Sequence, residues 1–589
     1  MAQISQLSPG TITTETNLTT IVPSILTTAG AYAGNFAWGP INKIISISSE
    51  QNLITSFGSP TNSTYASFYT AASFLAYGNN LGVVRAANTG TVNATANTVG
   101  FQVQNQDVFQ YTLLTGPNAN TYGPFMARYA GALGNSLTIS VIDAGANANV
   151  FATWNVSTLN ASGSNTTVNL SGYFNSAPST SYYGTTLGAA NDQIHVAVVD
   201  TGGLFSGTKG TVLETFAYLS KASDSLDSSG QSNYYKQAIF NKSKFIYAVD
   251  PVNYSTTVGT WGSPTANVSF ATLGNSPVTV TLTGGVDATV QDADVINAMN
   301  QFSDTTTSSI SLLMTGPFTD AVVQTNAINI AATRKDCVAF VSPPQAAVVN
   351  NVGSEQTSVI AWYNNLSSLT GGPTGSYGFA DSGWKYMFDK YNNTYRWVPM
   401  NGDVAGLCVY TDTTNAPWFS PAGYNRGVIK NVIKLAWNPS LANRNAIYPL
   451  GINPIASFPG KGTVLFGDKT MQTQPSAFDR INVRRLFIVL EQAIATASQY
   501  ALFEFNDAFT QAQFVSLVTP FLRSVQAQRG ITAFTVVCDS TNNTPSVVDA
   551  NQFIGDIYIQ PARSINYIQL RFTAVGTGVS FSTVTTSAA

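Results

Sequence analysis

The sequence contains a single histidine, His195, so a catalytic triad or a histidine-based metal site would have to use it. His195 lies inside the apolar run 194–198, and a short apolar run of this kind is typical of a buried strand. The sequence therefore predicts a half-buried structural residue and not a general base. One histidine also cannot form the histidine clusters that bind metals, and the H-E-x-x-H pattern is absent.

Three carboxylates close to this histidine in sequence, Asp192, Asp200 and Glu214, suggest the paired acids of a glycosidase. No clear pattern of aromatic residues that could stack on a sugar accompanies them. Solvated or helix-capping roles are therefore the simpler interpretation. A polysaccharide-degrading enzyme is the alternative, and it predicts that activity is lost when Asp192 or Glu214 is substituted.

The remaining motifs for cofactor chemistry are incomplete. The segment Gly460-Lys-Gly-Thr463 resembles a phosphate-binding loop, but glycine follows its lysine where that motif has Ser or Thr. Ile455 also stands where the first glycine of the motif belongs. The three cysteines, Cys337, Cys408 and Cys538, are far apart and odd in number, which fits neither a disulfide framework nor a zinc ribbon. The sequence thus predicts no cofactor, no metal and no enzymatic activity.

Three arginines, Arg480, Arg484 and Arg485, lie at the start of a predicted helix over 479–500. Cations at a helix N-terminus oppose the helix dipole at a cost of a few tenths of a kcal/mol. A solvated first turn is the simplest explanation. The alternative is a partner carboxylate, either inside the same subunit or on a neighbour, which makes these arginines candidates for contacts between molecules.

Charged side chains are scarce, because 26 basic and 29 acidic residues make up 9% of the 589 residues, against roughly 25% in a typical soluble domain. The thinly spread basic residues and a net charge of −3 argue against nucleic-acid binding. No apolar run approaches the roughly 18 residues of a membrane span, and no secretory signal is recognisable. We therefore expect a soluble, intracellularly made protein with no direct membrane insertion. Its low surface charge would suit a subunit packed against copies of itself.

The elements that must position these residues alternate between α/β and β-rich segments. The first α/β segment has a strand at 44–47, a helix at 63–77 and a strand at 83–84. A β-rich insertion follows over 91–190, where helical periodicity almost vanishes. Its predicted strands lie at 101–103, 108–111, 137–141 and 150–156.

From 191 to 345 the α/β pattern returns. Its predicted strands are 194–199, 245–249, 310–314 and 337–341, and its predicted helices are 211–221, 291–300 and 320–335. The last third of the chain carries the strongest helical periodicity. Its predicted helices are 479–500 and 508–528, and its predicted strands are 532–538, 553–559 and 565–572.

Short phrases along the whole chain resemble one family, the tail sheath proteins of contractile-tailed bacteriophages. In the first half they are Ser8-Pro-Gly-Thr-Ile-Thr-Thr-Glu-Thr, Ala33-Gly34, Trp38-Gly39-Pro40, Phe57-Gly58-Ser59-Pro60, the segment 127–137 and the segment 282–287. In the second half they are Arg334-Lys-Asp-Cys-Val338, Ser342-Pro-Pro, Ile481-Asn-Val-Arg-Arg-Leu486, Phe503-Glu-Phe-Asn506, Cys538-Asp539 and Asn543-Thr544-Pro545. Phe505 differs from the proline that is usual in its phrase.

The resemblance implies a structural subunit that forms stacked hexameric rings around a tail tube. The sheath contracts on a signal from the baseplate and drives the tube through the host envelope. The implied partners are further copies of the chain, the tail tube protein, and the baseplate and tail terminator proteins. The implied location is the virion tail, with assembly in the host cytoplasm.

The resemblance also implies a mixed α/β and α+β multidomain fold. A C-terminal α/β core domain is completed by the N-terminal segment, with inserted α/β and β-rich domains stacked outward. The predicted regions are an N-terminal arm over 1–23, a middle α/β domain of 24–90 plus 346–475, a β-rich insertion over 91–190, an α/β domain over 191–345, and a C-terminal inner core with its arm over 476–589.

In such sheaths, extended arms add strands to sheets of neighbouring subunits, and both chain ends here suit that role. The candidate arm residues are Thr11, Ile12, Thr13, Thr14 and Glu15 near the start and Ile565, Tyr567, Ile568 and Leu570 near the end. An arm of about 20 residues reaches roughly 65 Å at about 3.3 Å per residue, which is enough to enter an adjacent subunit. An ordinary internal strand is the alternative for 565–572. Arg480, Arg484 and Arg485 become candidate contacts to a neighbouring subunit or to the tube.

A surface-layer or adhesin-like β-rich binding protein is the alternative function, because the chain is rich in Thr, Asn and Gly. That alternative predicts export from the cell and binding of glycans or cells by a monomer.

Overall fold

The computed structural model describes residues 25–114, 120–159, 163, 165–252, 259–370 and 372–570. The chain divides into two compact units with the boundary between Tyr500 and Ala501. They are called the main unit and the C-terminal unit below, and each is described by itself. Both mix helices and strands, so the predicted mixed α/β multidomain class is confirmed.

The strands of the described residues are numbered in chain order. They are β1 Gly30–Asn35, β2 Ile45–Ile47, β3 Leu81–Ala86, β4 Phe125–Ala127, β5 Leu137–Asp143, β6 Asn155–Leu159, β7 Asn165–Asn169, β8 Gln193–Asp200, β9 Thr211–Ser220, β10 Ile246–Ala248, β11 Val278–Thr281, β12 Leu312–Met314, β13 Val338–Val341, β14 Gly378–Asp381, β15 Trp384–Asp389, β16 Thr394–Pro399, β17 Lys434–Leu435, β18 Ile452–Asn453, β19 Ile455–Phe458, β20 Gly462–Leu465, β21 Ile531–Val537 and β22 Asp556–Pro561.

The α-helices of the described residues are numbered in the same way. They are α1 Glu50–Phe57, α2 Tyr65–Leu75, α3 Gln106–Phe109, α4 Ala148–Ala152, α5 Tyr182–Thr186, α6 Tyr235–Lys242, α7 Asp292–Met299, α8 Ala321–Arg334, α9 Gln345–Val348, α10 Glu355–Thr370, α11 Asn401–Thr414, α12 Leu441–Ile447, α13 Ile481–Ser498, α14 Ala508–Ala527 and α15 Pro545–Asp549.

A seven-stranded sheet forms the centre of the main unit, in the order β18-β14-β13-β12-β1-β3-β2. All neighbours are parallel except β2, which pairs antiparallel with β3. The short, apolar strands are buried on both faces, as expected for a parallel sheet covered by helices on both sides. This sheet and its helices are called the core domain below.

Helices cover both faces of the sheet. The register places Gly30 of β1 beside Leu81 of β3, so Gly30 and the next residue of β3, Gly82, face opposite sides. A Cβ on Gly30 would lie 2.5 Å from the Phe74 ring of α2, whereas one on Gly82 would lie 3.3 Å from Phe302, just after α7. Thus α2 and its neighbour α11 cover one face, called the front, and α7 and α8 cover the other, called the back.

A second layer, the outer sheet, consists of β16-β15-β17 and packs on the front helices. The Arg396 guanidinium lies 4.7 Å from the Tyr65 ring centroid of α2. Lys385 of β15 forms a buried ion pair of 2.8 Å with Asp403 of α11. These contacts fix which face of the outer sheet points inward.

Between β3 and α7 the chain forms an inserted domain. Its main sheet has the order β11-β5-β8-β9 and is antiparallel throughout. The hairpin β6-β7 and the pair β10-β4 accompany it. The strands that enter and leave this domain are bridged antiparallel at Val92 and Val286.

The C-terminal unit packs α14 against the two-stranded sheet β21-β22. Phe514, Val518, Leu522 and Val525 recur at helical spacing on the buried face of α14, which confirms the predicted helix. Phe514 contacts Phe553 at 5.6 Å between ring centroids. The approach of the Phe514 ring also requires glycine at 555, because a Cβ there would lie 2.6 Å from it.

Two predicted domain boundaries are wrong. A boundary at 190/191 would separate β5 from β8, which pair over their whole lengths, so 91–190 and the first part of 191–345 form one inserted domain. The later part, with β12 and β13, belongs to the central sheet, because β12 pairs with β1 and β13. The sequence pattern could not show this, since the pairing partners are distant in the chain.

The predicted boundary at 475/476 also differs from the structure. Ile481 and Ile488 of α13 belong to the core cluster of the main unit. The predicted C-terminal domain of 476–589 therefore divides at Tyr500, and its first helix belongs to the main unit.

Most predicted elements are confirmed to within a few residues, but five are not. The predicted helix 211–221 is strand β9, and the predicted strands at 108–111 and 150–156 contain helix α3 and helix α4 followed by β6. In the predicted strand 101–103 only an isolated bridge between Asn93 and Phe101 forms. Residues 565–570 form no strand within the subunit, and 571–572 lie outside the described residues.

Candidate assembly site

The C-terminal unit contains a sheet that is open to extension. Within the described residues β21 and β22 pair only with each other, so each has an edge whose main-chain N–H and C=O groups face no further strand. Such edges can pair with an extended segment of another chain.

The chain leaves β22 as an exposed segment that forms no helix or strand up to residue 570. The predicted arm residues Ile565, Tyr567, Ile568 and Leu570 are 71–85% exposed. Four large apolar side chains at this exposure, so close in sequence, form a surface that a monomer would normally bury. Their role as an inter-subunit arm stays a prediction. The other predicted arm residues, Thr11 to Glu15, lie outside the described residues.

A second exposed apolar stretch lies around the start of α14. Leu502, Phe503, Phe505 and Phe509 are all strongly exposed. Phe503 has a positive φ of 71°, an uncommon conformation for a bulky residue. Sequence periodicity did not single out this stretch, although two of its residues belong to the phrase 503–506.

Amide side chains hold the turns around this stretch. Asn543 exchanges two hydrogen bonds with the main chain of Ile554, accepting at 2.9 Å and donating at 2.8 Å. Asn506 donates to the carbonyl of Gln552 at 2.7 Å and accepts from Gln511 Nε2 at 2.9 Å. These contacts give a physical reason for Asn506 and Asn543 in their phrases.

The root of the N-terminal segment is anchored in the main unit. Ser311 Oγ donates to the Leu26 carbonyl at 2.7 Å, and Arg485 Nη2 lies 3.4 Å from the Thr27 carbonyl. The same guanidinium forms a two-pronged ion pair with Asp412 of α11, at 2.8 and 2.6 Å. Arg485 therefore connects three parts of the chain, α13, α11 and the root of the segment.

For Arg485 the structure supports one of the alternatives, a partner carboxylate inside the same subunit, which is Asp412. Arg485 is only 4% exposed. Burial alone would lower its pKa, but the Asp412 carboxylate beside it raises that pKa above its ordinary value. Sequence spacing gave no signal for Asp412, which is 73 residues away.

The other two arginines also have partners within the chain. The Arg484 guanidinium lies between the rings of Tyr377 and Phe478, at 4.2 and 3.9 Å, and donates to Ser376 Oγ at 2.7 Å. Arg480 forms an ion pair with Asp468 at 2.8 Å and remains partly exposed. These partners account for all three side chains without a second molecule, so any contact to a neighbour or to the tube stays a prediction.

A joint between the core domain and the inserted domain brings several of the phrases together. Trp38 of the core domain is buried among the apolar residues of the inserted domain, 5.2 Å from Tyr129 and 4.9 Å from Phe205 between ring centroids. Arg85, at the end of β3, donates to the carbonyls of Phe36 and Gly39 at 2.9 and 3.0 Å. Burial lowers its pKa to about 10.

On the side of the inserted domain, the joint is formed by the phrases 127–137 and 282–287. Asn135 and Gly285 exchange two hydrogen bonds of 2.8 Å each. Asp287 accepts from the Ala132 amide at 3.2 Å. A Cβ on Gly285 would lie 2.5 Å from the Gly131 carbonyl, so the two segments approach too closely for a larger residue.

His195 is a fully buried structural residue of β8. Its Nε2 donates to the Ser176 carbonyl at 2.8 Å, and its Nδ1 accepts from the Tyr218 amide at 3.0 Å. The ring stacks on Phe174 at 4.5 Å between centroids. Burial lowers its pKa, which keeps it neutral in this tautomer.

The three carboxylates that suggested a glycosidase each organise a separate turn. Asp192 accepts from both the amide and the hydroxyl of Ser181 at 2.7 Å. Asp200 accepts from three consecutive amides of the loop 204–206. Glu214 accepts from Ser243 Oγ and from the Lys244 amide, both at 2.7 Å. All three therefore have structural roles, but the predicted solvated or helix-capping roles are wrong for Asp192 and Asp200, which are fully buried and bind loop amides and hydroxyls.

The other motifs also have local explanations. The segment 460–463 forms the turn and the start of the second strand in the hairpin β19-β20, with Gly460 and Gly462 at positive φ. Across the described ranges no group of three or more His, Cys, Asp or Glu side chains is arranged to hold a metal. In the same ranges no helix combines the length and the apolar character needed to cross a membrane.

Three family models match the chain. The model of the tail sheath protein Gp18 domain III N-terminal region matches residues 27–86, that of the phage tail sheath protein central domain matches 288–471, and that of the phage tail sheath C-terminal domain matches 473–574. The first two ranges contain the strands of the central sheet, and the inserted domain lies between them.

Full-length relatives agree with these models. The tail sheath protein of Enterobacteria phage T4 is 33% identical, and that of Vibrio phage KVP40 is 31% identical, each over 98% of this chain and 99% of the relative. The sheath tail protein of Listeria innocua shares the fold, with a TM-score of 0.51 at 12% identity over 91% of this chain and 95% of that one. The chain therefore belongs to the tail sheath proteins of contractile phage tails, which are structural proteins of the virion tail and not enzymes.

Proposed function

We propose that copies of this chain stack as hexameric rings around the tail tube. Extended arms join the rings by adding strands to the C-terminal sheets of neighbours. On a signal from the baseplate the sheath contracts and drives the tube through the host envelope. Assembly takes place in the host cytoplasm, between the baseplate and a terminator protein at the far end of the tail.

One observation carries the proposal: an exposed apolar segment without helix or strand follows a two-stranded sheet with open edges. Strand addition takes its affinity from main-chain hydrogen bonds and needs little side-chain specificity. Within one subunit the segment 562–570 forms no strand, whereas its apolar side chains suit the half-buried surface of an added strand.

Contraction requires two alternative packings of nearly rigid bodies, because a large movement needs a bistable interface. The joint at Trp38 and Arg85 supports this part of the proposal. It gives the inserted domain both apolar and hydrogen-bonded contacts to the core domain, so the two can move together while contacts between subunits change.

A proline substitution in the arm tests strand addition directly. Proline removes the main-chain N–H and is tolerated poorly in a paired strand, whereas alanine keeps the N–H and only shortens the side chain. We expect Ile568→Pro to abolish sheath formation by the purified chain and Ile568→Ala to reduce it only modestly. Tube number and length are measured by negative-stain electron microscopy and sedimentation.

The fold of the free subunit serves as the control. Position 568 is exposed and outside the elements of the unit, so both variants should melt at the temperature of the wild type. Normal tubes from Ile568→Pro would contradict the role of this arm. A wild-type chain that stays monomeric under all assembly conditions would contradict the sheath function itself.

A further inference from the structure

The outer sheet carries an exposed aromatic surface on its outward face. Tyr386 of β15 lies 4.6 Å from Trp397 of β16, and Phe388 lies 5.2 Å from Tyr395, between ring centroids. Tyr386 and Tyr395 also stack at 5.6 Å. Phe388 is 42% exposed and Tyr395 is 50% exposed. The four rings thus form a continuous platform, called the aromatic platform below.

Lysine ammonium groups lie on and beside this platform. Lys434 of β17 is exposed and lies 5.0 Å from the Tyr386 ring and 5.6 Å from the Trp397 ring. Lys390 lies 5.1 Å from the Tyr391 ring at one end, where it forms an ion pair of 3.1 Å with Glu50. A groove of about 470 Å³, lined in part by Phe388 and Ile433, adjoins the platform. The surface is therefore apolar, with the exposed ammonium group of Lys434 on its rings.

The back of the same core domain has the opposite character. Asp292 lies in the first turn of α7 and is exposed. Its pKa is raised by the partial loss of solvent around its carboxylate and by the negative charge of Asp320. Asp320 caps α8 by accepting from the Val322 amide at 2.8 Å, and the Val322 side chain beside it is 60% exposed. An apolar side chain beside carboxylates complements aromatic rings that carry the ammonium group of Lys434.

The two surfaces lie on opposite sides of one rigid sandwich. The outer sheet covers the front helices α2 and α11, whereas α7 and α8 cover the back of the central sheet. One molecule cannot bring its own front and back together. Two copies can, and a contact between different surfaces of identical subunits repeats from copy to copy, which produces rings or helical arrays.

We propose that the aromatic platform of one subunit docks on the α7–α8 surface of the next, with Lys434 opposite Asp292 and Val322 against the rings. This inference rests on the proposed assembly and adds a head-to-tail contact between core domains, distinct from the arms. A cation supplied by a neighbour would also relieve the repulsion between Asp292 and Asp320.

A charge swap tests the pairing. Lys434→Glu places like charges together and should reduce the amount of assembled sheath at least tenfold at low salt, and so should Asp292→Lys. The double variant Lys434→Glu with Asp292→Lys reverses both charges and should recover most of the assembly. Lys461→Glu is the matched control, because Lys461 is also an exposed lysine on a tyrosine, 5.1 Å from the Tyr424 ring, but in another hairpin.

Thermal melting of each monomer shows that the variants remain folded. Assembly of Lys434→Glu at the wild-type level would overturn the inference and leave the sheath function standing. Failure of the double variant to recover, with all monomers folded, would overturn the pairing of Lys434 with Asp292.

Disulfide trapping provides a second measurement. A chain with both Tyr395→Cys and Val322→Cys should form a ladder of covalent oligomers on oxidation of the assembled sheath. Chains with one of the two substitutions should not, because the native cysteines Cys337, Cys408 and Cys538 are buried. Absence of a ladder from the doubly substituted chain would overturn the proposed contact, whereas failure of the wild type to assemble would count against the sheath function.

Discussion

At the scale of single residues, three pairs of opposite charges are buried together in the main unit. Arg485 with Asp412, Lys385 with Asp403 and Lys221 with Asp143 are ion pairs with almost no exposure. Removing one member of such a pair leaves a buried charge without compensation, which costs about 3–5 kcal/mol. Several of the few charged side chains of this chain therefore stabilise the fold itself.

For Arg485 this gives a stability prediction. Arg485→Met should lower the free energy of unfolding by about 3–5 kcal/mol, because Asp412 stays buried without its partner. Arg485→Met combined with Asp412→Leu should recover a large part of the loss. Urea unfolding of the purified subunit measures both, and a double variant as unstable as the sum of the two single changes would contradict the coupling.

The single histidine gives a pH prediction. Burial lowers the pKa of His195 in the folded state, so the unfolded chain binds its proton more readily below the ordinary value of about 6.5. Stability should therefore decrease as the pH falls through that value, since the protonated ring can no longer accept from the Tyr218 amide. His195→Gln should be less stable at pH 7.5 but should lose less stability between pH 7.5 and 5.5.

Comparing the wild type with the His195→Gln variant isolates the effect of His195 on the pH dependence of stability. Burial raises the pKa of Asp381 to about 7, so the folded state holds that proton more tightly and stability rises as the pH falls. That opposite contribution is common to both proteins. Equal changes in the urea midpoint for wild type and His195→Gln would contradict the prediction.

At the scale of elements, residue spacing predicted the long helices well and failed where a local feature disturbed it. Strand β9 was predicted as a helix because Val212, Phe216 and Leu219 are spaced like a helical face. Two irregularities in its pairing with β8, one between Ile194 and Val196 and one between Val198 and Val199, shift the alternation and produce that spacing.

Helix caps explain two other errors. Asn105 and Asn147 accept hydrogen bonds from the amides of Val108 and Val150, and so start α3 and α4 in segments predicted as strands. Both asparagines were visible in the sequence, but among so many Asn residues a cap does not stand out. The pairing of distant strands, as of β12 with β1, had no local signal at all.

The joint between the domains gives a prediction at this scale. Trp38→Ala should remove the contacts with Tyr129 and Phe205 and cost about 3–5 kcal/mol, as large aromatic truncations do. Trp38→Phe keeps an aromatic ring and serves as the milder control. Limited proteolysis at the connecting residues 87–91 measures the effect, and an unchanged cleavage rate for Trp38→Ala would contradict a coupling role.

At the scale of the whole molecule, the sequence predicted the family of the chain but not the surfaces through which its copies would contact each other. The order of the phrases along the chain identified the family, which the relatives confirm over nearly the full length. The sequence did not predict the aromatic platform, because its rings come from two strands and meet only when β15 pairs with β16. The partners of the arginines were equally out of reach, since each lies in a distant element.

The bridge between Val92 and Val286 has a consequence for how the chain can vary. Because the segments that enter and leave lie side by side, the inserted domain begins and ends at one place on the core domain, where the joint at Trp38 adds further contacts. The central sheet draws its strands from before and after the inserted domain, so its strand order is independent of what that domain contains. Replacing the inserted domain would therefore leave the strand order of the central sheet unchanged, but a replacement would have to preserve the contacts of the joint at Trp38 and Arg85.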